Sequence, residues 1–271
     1  MYTAHGFHFT PKQRWLQRLP SQAVEWLAGR VTDRLVVIND ADYESALRLR
    51  LVARDRLEKM PGIGLDFGWY DRSSDLLAEA EILRRDIGVP KDQPLFTMIA
   101  EMTPRKGHRD ALQAFAIMNH GGAHLALAGQ GPLESAIVQQ SQDLGIAHRV
   151  HLLSQVSDVR PLILASQATL LPSLREGMAR AVMESLALGV PVVGTNIRGI
   201  ADTVGDDGGI LVSLHDVVAI ASALDSLSTA PPLDARQRDE IRSRIEPYAI
   251  GNIIAQHERM YGELLEELAG R

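Results

Sequence analysis

The sequence predicts an α/β fold organised around a parallel sheet. From Pro94 onward, short and almost uninterrupted apolar runs alternate with amphipathic stretches that have helical periodicity. A parallel strand covered by helices on both faces has no solvated side, so it reads as continuous apolar text. With 271 residues and 45% hydrophobic content, the chain can bury one large core or two modest ones, which excludes a disordered polypeptide.

In order, YTA at 2–4 is a short β-like run, and residues 12–29 read as helical with Pro20 making a break or a new start. RLVVIND at 34–40 is a strand. Asp40 is placed to cap the following helix, ADYESALRLRLVARDRLEKM, which Pro61 and Gly62 terminate. PGIGLDFGWYD at 61–71 is glycine-rich and non-periodic, as expected of a connection between layers or domains. SSDLLAEAEILRRDIGV is a helix whose acidic start and basic end suit the helix dipole.

The regular alternation then begins. PLFTMIA, AHLALAG, RVHLL, ATLLPS, PVVGT and GGILV read as strands; HRDALQAFAIMN, GPLESAIVQQSQDLG, VRPLILAS and MARAVMESLALG read as the helices between them. The tail contains DVVAIASALDSL, a loop with Pro231 and Pro232, and a final amphipathic stretch long enough for a terminal helix. The expected organisation is a partial N-terminal domain and linker over 1–70, a complete α/β domain over 71–245, and a terminal helix over 246–271 that packs back on the N-terminal part.

Composition narrows the function classes. Twenty-eight Lys and Arg against 34 Asp and Glu give a net charge of −6, which argues against nucleic acid as a partner. The absence of cysteine removes disulfides, thiolate metal sites and cysteine nucleophiles, and it fits a reducing cytoplasm. No apolar run is long enough to span a membrane, and the first residues lack the apolar core of a signal peptide.

In a doubly wound sheet, ligands sit beyond the carboxyl ends of the strands, so the loops there carry the chemistry. EMTPRKGH at 101–108 brings Arg105 and Lys106 to that edge, where two cations suit a diphosphate and its departure; they also fit the description of ordinary solvated loop residues. AGQGP at 128–132 supplies Gly129 and Gly131, which allow close backbone approach to a ligand or simply form a βα turn ended by a helix-starting proline. SLREGMARAVME at 173–184 places Glu176 beside Gly177 before a helix, and Glu184 about two turns deeper. The two carboxylates are therefore open to separate jobs, each able to accept paired hydrogen bonds from vicinal hydroxyls, or to serve as helix residues only. The chain has no convincing GxGxxG after a first strand, so this edge reads as a nucleotide-sugar site rather than a dinucleotide one. His5 and His8 flank Gly6 and Phe7; without an evident third ligand, and beside aromatic residues, they point to packing or sugar contact rather than metal.

Taken together, TAHGFHF, TDRLVVINDADYESA, PGIGLDF, AEMTPRKGH, AGQGP, LPSLREGMARAVMESLALGVPVVGTNIRG and GGILV, in this order, resemble the GT-B glycosyltransferases of family 4, especially bacterial members that build exopolysaccharide or lipid-linked glycans. The resemblance implies two Rossmann-like domains, the C-terminal one complete and the N-terminal one truncated, because relatives usually carry further residues before TAHGFHF. It implies a retaining, metal-independent transfer from a UDP-linked sugar to a glycan or polyprenyl-linked acceptor, with no cofactor beyond that donor. Carried over by motif, Lys106 binds the donor diphosphate, Glu176 meets the transferred sugar, Glu184 holds the ribose hydroxyls and His5 reaches the transferred sugar. Gly177, Met178 and Ala179 lie near sugar and phosphate with Arg180 as a further contact, and Arg105, Gly129 and Gly131 complete the donor set.

Two departures stand out. Glu101 occupies the position where many relatives have the arginine of an Arg-x4-Lys pair, and Ala179 replaces a common proline. The resemblance also implies a cytoplasmic protein with peripheral contact at the inner membrane face through residues near 12–30, and it leaves room for a protein partner or dimer. Two other readings stay open: a noncatalytic or partner-completed nucleotide-sugar-binding subunit, and a sugar-nucleotide epimerase of the same fold.

Overall fold

In a computed structural model the described residues are 1–7, 9, 15–62 and 64–270, and they fall into two compact units, Met1–Gly64 with Pro247–Arg271, and Leu65–Glu246. His8 and residues 12–14 of the expected first helix lie outside the described residues.

The first unit holds a three-stranded parallel sheet, β1 (Tyr2–Ala4), β2 (Leu35–Val37) and β3 (Leu57–Lys59), in the order β1-β2-β3. Phe7 and Phe9, both buried, stack at 5.1 Å over Ala4, Leu35, Val37, Ala46, Leu51 and Leu57. The aromatic residues of TAHGFHF are therefore core, and the backbone N–H of Phe7 donates to the buried Asp42 carboxylate at 3.3 Å.

Three local expectations are corrected here. Helix α1 (Trp15–Arg30) runs straight through Pro20, which is exposed, so water can take the carbonyl its ring leaves unbonded. Helix α2 (Asp40–Leu49) is capped by Asn39, whose side chain accepts from the Asp42 N–H at 2.8 Å; Asp40 is its first helical residue. That helix also stops eleven residues before Met60, because Arg50 turns left-handed (φ 49°) and the N–H groups of Arg50 and Leu51 close on the carbonyls of Leu47 and Ala46. This is a C-terminal cap that buries Leu51. The chain freed by it forms a one-turn 3₁₀ helix over 54–56 and then β3, a strand the helical periodicity of the segment conceals.

The second unit begins with α3 (Ser74–Asp86), capped by the Ser73 hydroxyl. Its strands are β4 (Leu95–Ile99), β5 (His124–Ala128), β6 (Val150–Leu152), β7 (Ala168–Leu171), β8 (Val192–Thr195) and β9 (Gly209–Val212). The helices between and after them are α4 (His108–Ile117), α5 (Glu134–Asp143), α6 (Arg160–Leu164), α7 (Arg180–Ala187), α8 (Ala201–Val204), α9 (Val217–Thr229) and α10 (Ala235–Ser243). All six strands are parallel, in the order β6-β5-β4-β7-β8-β9. Leu95, Phe96, Met98, Leu125, Leu127, Leu170, Val192 and Val193 are fully buried, which is why these strands carry no polar face. The chain then returns to the first unit as α11 (Ile250–Ala269), whose Met260 joins Val36 and Met60 in a buried cluster. Glu267 of α11 pairs with the largely buried Arg34.

The order β6-β5-β4-β7-β8-β9 matters for function. The chain starts in the middle at β4, winds outward through β5 and β6, then returns to the other side of β4 as β7. Connections on the two sides therefore leave the sheet in opposite directions, and a crevice opens where β4 and β7 are neighbours, beyond their carboxyl ends.

Candidate functional site

The loops that leave β4 and β7 meet in that crevice. After β4 the chain makes a 3₁₀ turn, Pro104–Lys106, and enters α4 through Gly107; after β7 it passes Pro172 and Ser173 to reach Glu176 and α7. Leu174 donates its backbone N–H to the Arg105 carbonyl at 2.8 Å, and the Thr195 hydroxyl at the end of β8 donates to the Ser173 carbonyl at 2.6 Å. Three successive strand ends are thereby knitted into one rim.

On this rim Lys106 Nζ donates to Glu176 Oε1 at 2.7 Å, an ion pair with side chains only 17% and 7% exposed. Two residues seventy positions apart, assigned to diphosphate and sugar, are thus brought into contact. Glu184, on α7, accepts from Arg180 Nε at 2.9 Å across one helical turn and from the Tyr70 hydroxyl at 2.8 Å. Both cations are therefore held by a carboxylate, and the four charges cancel locally.

Gly177 and Met178 are half-buried and Ala179 is buried as the residue preceding α7; Arg180 is exposed. Arg105 and Glu101 are exposed. The backbone at Gly129 and Gly131 lies so close to Ala100 and Met102 that a Cβ at either would stand within 2.6 Å of their carbonyl oxygens, and Met102 N–H donates to the Gln130 carbonyl at 2.9 Å. These glycines let the β5 loop lie against the β4 loop. His5 belongs to the first unit, exposed in the turn directly after β1.

Two residues beside the predicted set were not legible as site residues. Tyr70 sits in a stretch that reads as a connection, although its aromatic body and polar tip are the side-chain type that bridges core and site. His108, the first residue of α4, is 2% exposed, and neither ring nitrogen has a hydrogen-bond partner among the described residues. Burial, with Lys106 adding in the same direction, pushes its pKa down to about 4.

This has a consequence for stability. His108 stays neutral in the folded chain, whereas an unfolded imidazole takes a proton near pH 6.5. Its contribution is complete above that pH and is lost as pH falls from there toward the folded value. Urea denaturation should show this residue costing the chain about 2 kcal/mol between roughly pH 7.5 and pH 5. His108→Gln should flatten that part of the pH dependence; an unchanged profile would mean that His108 is free to protonate when folded.

Among the described residues there is no cluster of three or more His, Cys, Asp or Glu with metal-binding geometry, and no helix is long and apolar enough to cross a membrane. The fold and the rim define a parallel α/β unit with a charged cleft at its topological switch point, of the GT-B glycosyltransferase type. The pattern of the glycosyl transferases group 1 matches residues 79–244, well over half of the chain, and the protein belongs to that family of enzymes.

Among curated relatives, a Bacillus subtilis protein named as a glycosyltransferase, EpsD, is 27% identical over 98% of this chain and 70% of its own length. An Escherichia coli UDP-Gal:alpha-D-GlcNAc-diphosphoundecaprenol alpha-1,3-galactosyltransferase is 26% identical over 83% of this chain and 58% of its own. The chain thus spans between somewhat over half and 70% of these relatives. Among solved structures, Anabaena HepE in complex with UDP and glucose superposes with a TM-score of 0.81 at 18% identity, covering 97% of this chain and 71% of that one. A Rickettsia africae glycosyltransferase gives 0.82 at the same identity, over 97% and 70%.

Proposed function

We propose that this chain is a retaining glycosyltransferase of family 4 that moves a sugar from a UDP-linked donor to a glycan or polyprenyl-linked acceptor in polysaccharide synthesis. The observation that carries the reading is the Lys106–Glu176 pair at the crevice between the β4 and β7 strand ends. An ammonium there can take the charge that builds on a leaving diphosphate, and a carboxylate beside it can accept hydrogen bonds from sugar hydroxyls.

Each partner of this pair satisfies the other. A donor diphosphate would draw Lys106 away, and Glu176 would be released toward the sugar in the same step. The backbone amides of Gly177, Met178 and Ala179, ahead of α7, have no backbone acceptor among the described residues and offer further hydrogen bonds to the diphosphate, and Arg105, exposed on the same loop as Lys106, adds positive charge. Glu184 is assigned to the ribose hydroxyls, and Arg180 is its ion-pair partner. His5 is assigned to the transferred sugar by family resemblance alone.

The acceptor oxygen attacks the anomeric carbon on the face from which the nucleotide leaves. The bond from that carbon to the diphosphate oxygen breaks, the nucleoside diphosphate departs with the electron pair, and the acceptor proton passes to a phosphate oxygen. Lys106 and backbone amides supply the countercharge, so the scheme requires no metal or other cofactor. Helix α1 turns Leu16, Leu19, Val24 and Leu27 outward, an apolar face suited to peripheral contact at the inner membrane surface where a lipid-linked acceptor lies. Co-sedimentation with anionic vesicles, and its loss on Leu16→Asp with Leu27→Asp, checks that placement.

The function is tested with a panel of UDP-sugars and bacterial membrane lipid as acceptor, reading the anomeric configuration of the product by NMR. Transfer with the donor's configuration retained is the expected result. Conversion of donor sugar without acceptor would identify an epimerase instead, and binding without turnover a noncatalytic subunit.

A further inference from the structure

The segment Leu65–Asp71 reads as a connection, yet it is bolted to the second unit at three places. The Phe67 carbonyl accepts from Arg242 Nη2 at 3.1 Å, and Asp71 lies 3.7 Å from the same guanidinium. Trp69 lies under the Arg160 guanidinium, 3.5 Å from its ring centre, and its carbonyl accepts from Arg160 Nη1 at 2.7 Å. Asp158 in turn holds Arg160 through its Nε at 2.9 and 3.0 Å. Between these anchors the turn closes on Asp66, whose carbonyl accepts from Trp69 N–H at 3.0 Å. A connection needing only to span two elements has no use for this much fixation.

What the fixation holds in place is Tyr70, 4% exposed, with its hydroxyl 2.8 Å from Glu184 Oε1. Burial first, and then the Glu184 carboxylate, pushes the phenol up to about 12, so it remains a proton donor throughout the working range. Arg180 Nε donates to the same oxygen. A carboxylate oxygen has two lone pairs in its plane, and here both belong to protein donors. Oε2 of Glu184 accepts no hydrogen bond among the described residues.

We propose that Tyr70 is a positioning residue for nucleoside recognition: with Arg180 it locks the Glu184 carboxylate so that Oε2 alone is presented to the 2′- and 3′-hydroxyls of the donor ribose. This rests on the assignment of Glu184 to ribose made above. Arg180 is 66% exposed, so water competes for its ion pair, whereas Tyr70 is buried and anchored through its neighbours, and the orientation of the carboxylate therefore depends chiefly on the phenol. Without that hydroxyl, Glu184 can rotate about its terminal bond and turn Oε2 away.

The test uses the intact chain and compares binding of UDP with 2′-deoxy-UDP by calorimetry. A hydrogen bond to a charged acceptor should give the wild type a preference for UDP of about tenfold or more. Tyr70→Phe keeps the packing and should shrink that preference to about threefold or less, with 2′-deoxy-UDP bound almost as well as before. In the double variant with Glu184→Gln, the preference should equal that of Glu184→Gln alone, because Tyr70 acts only through that carboxylate. Equal weakening of both nucleotides by Tyr70→Phe, or a preference left at the wild-type value, would overturn the proposal and leave Tyr70 a packing residue. A wild type that binds both nucleotides alike, or neither, would instead remove the ribose assignment of Glu184 on which the proposal stands.

Discussion

Lys106→Met is expected to lower kcat/KM for sugar transfer by about 10² to 10³-fold, the cost of removing one preorganised group aimed at developing charge in the proposed mechanism. The loss should fall mainly on kcat, since the charge on the diphosphate is greatest as its bond to the sugar breaks. The substitution also leaves the Glu176 carboxylate, 7% exposed, without its only cationic partner among the described residues. Stranding one member of a buried pair costs about 3 kcal/mol of stability, so lower activity in the single variant has two sources. They are separated by Lys106→Met with Glu176→Gln, which removes both charges. Urea denaturation of the double variant should recover most of the lost stability while its turnover stays as low as that of the single variant or lower. Recovery of turnover along with stability would show that Lys106 serves the fold and not the leaving group.

The second large effect is structural. In Gly107→Ala the added Cβ would stand 2.1 Å from the carbonyl oxygen of Pro172, at a backbone angle (φ 81°) that side chains rarely adopt. The oxygen is backbone at the end of β7 and cannot swing aside. The β4 and β7 loops must separate, and with them Lys106 and Glu176. A loss of about 3 kcal/mol in stability is expected, together with reduced turnover. Gly88→Ala is the control: its φ is 75°, but nothing lies within 4 Å of the added carbon. It should cost only about 1 kcal/mol, from the backbone conformation alone. Equal losses in the two variants would mean that the contact with Pro172 is not what holds the rim together.

The second unit was readable because its signals are local. Each strand there is a short apolar run, the longer helices have an amphipathic repeat, and glycine or proline stands at most of the junctions, whereas the four residues of α8 are too few to show one. The first unit was less so. Arg50 in a left-handed cap has no compositional mark, and the charged text ARDRLEK hides β3 because a strand of three residues is too short to display a period. Asn39 and Asp40 are equally good caps by type, and only the path of the backbone chose between them. Tyr70 and His108 carry no mark in the sequence for a related reason: what sets them apart is their surroundings, and those neighbours are distant in sequence or generic in kind.

On its own the amino-acid sequence determines a parallel α/β architecture, and it marks the loops at one edge of the sheet as the place where the candidate carboxylates and cations fall. Periodicity and loop composition carry that information, since both are set by neighbours a few positions away. Tertiary structure alone decided the pairings. It joined Lys106 to Glu176 across seventy residues, gave Glu184 both Arg180 and Tyr70, and buried His108 without a hydrogen-bond partner among the described residues. Which carboxylate meets which cation depends on the strand order that makes β4 and β7 neighbours, and strand order is a property of the whole packed sheet that no local stretch of sequence records.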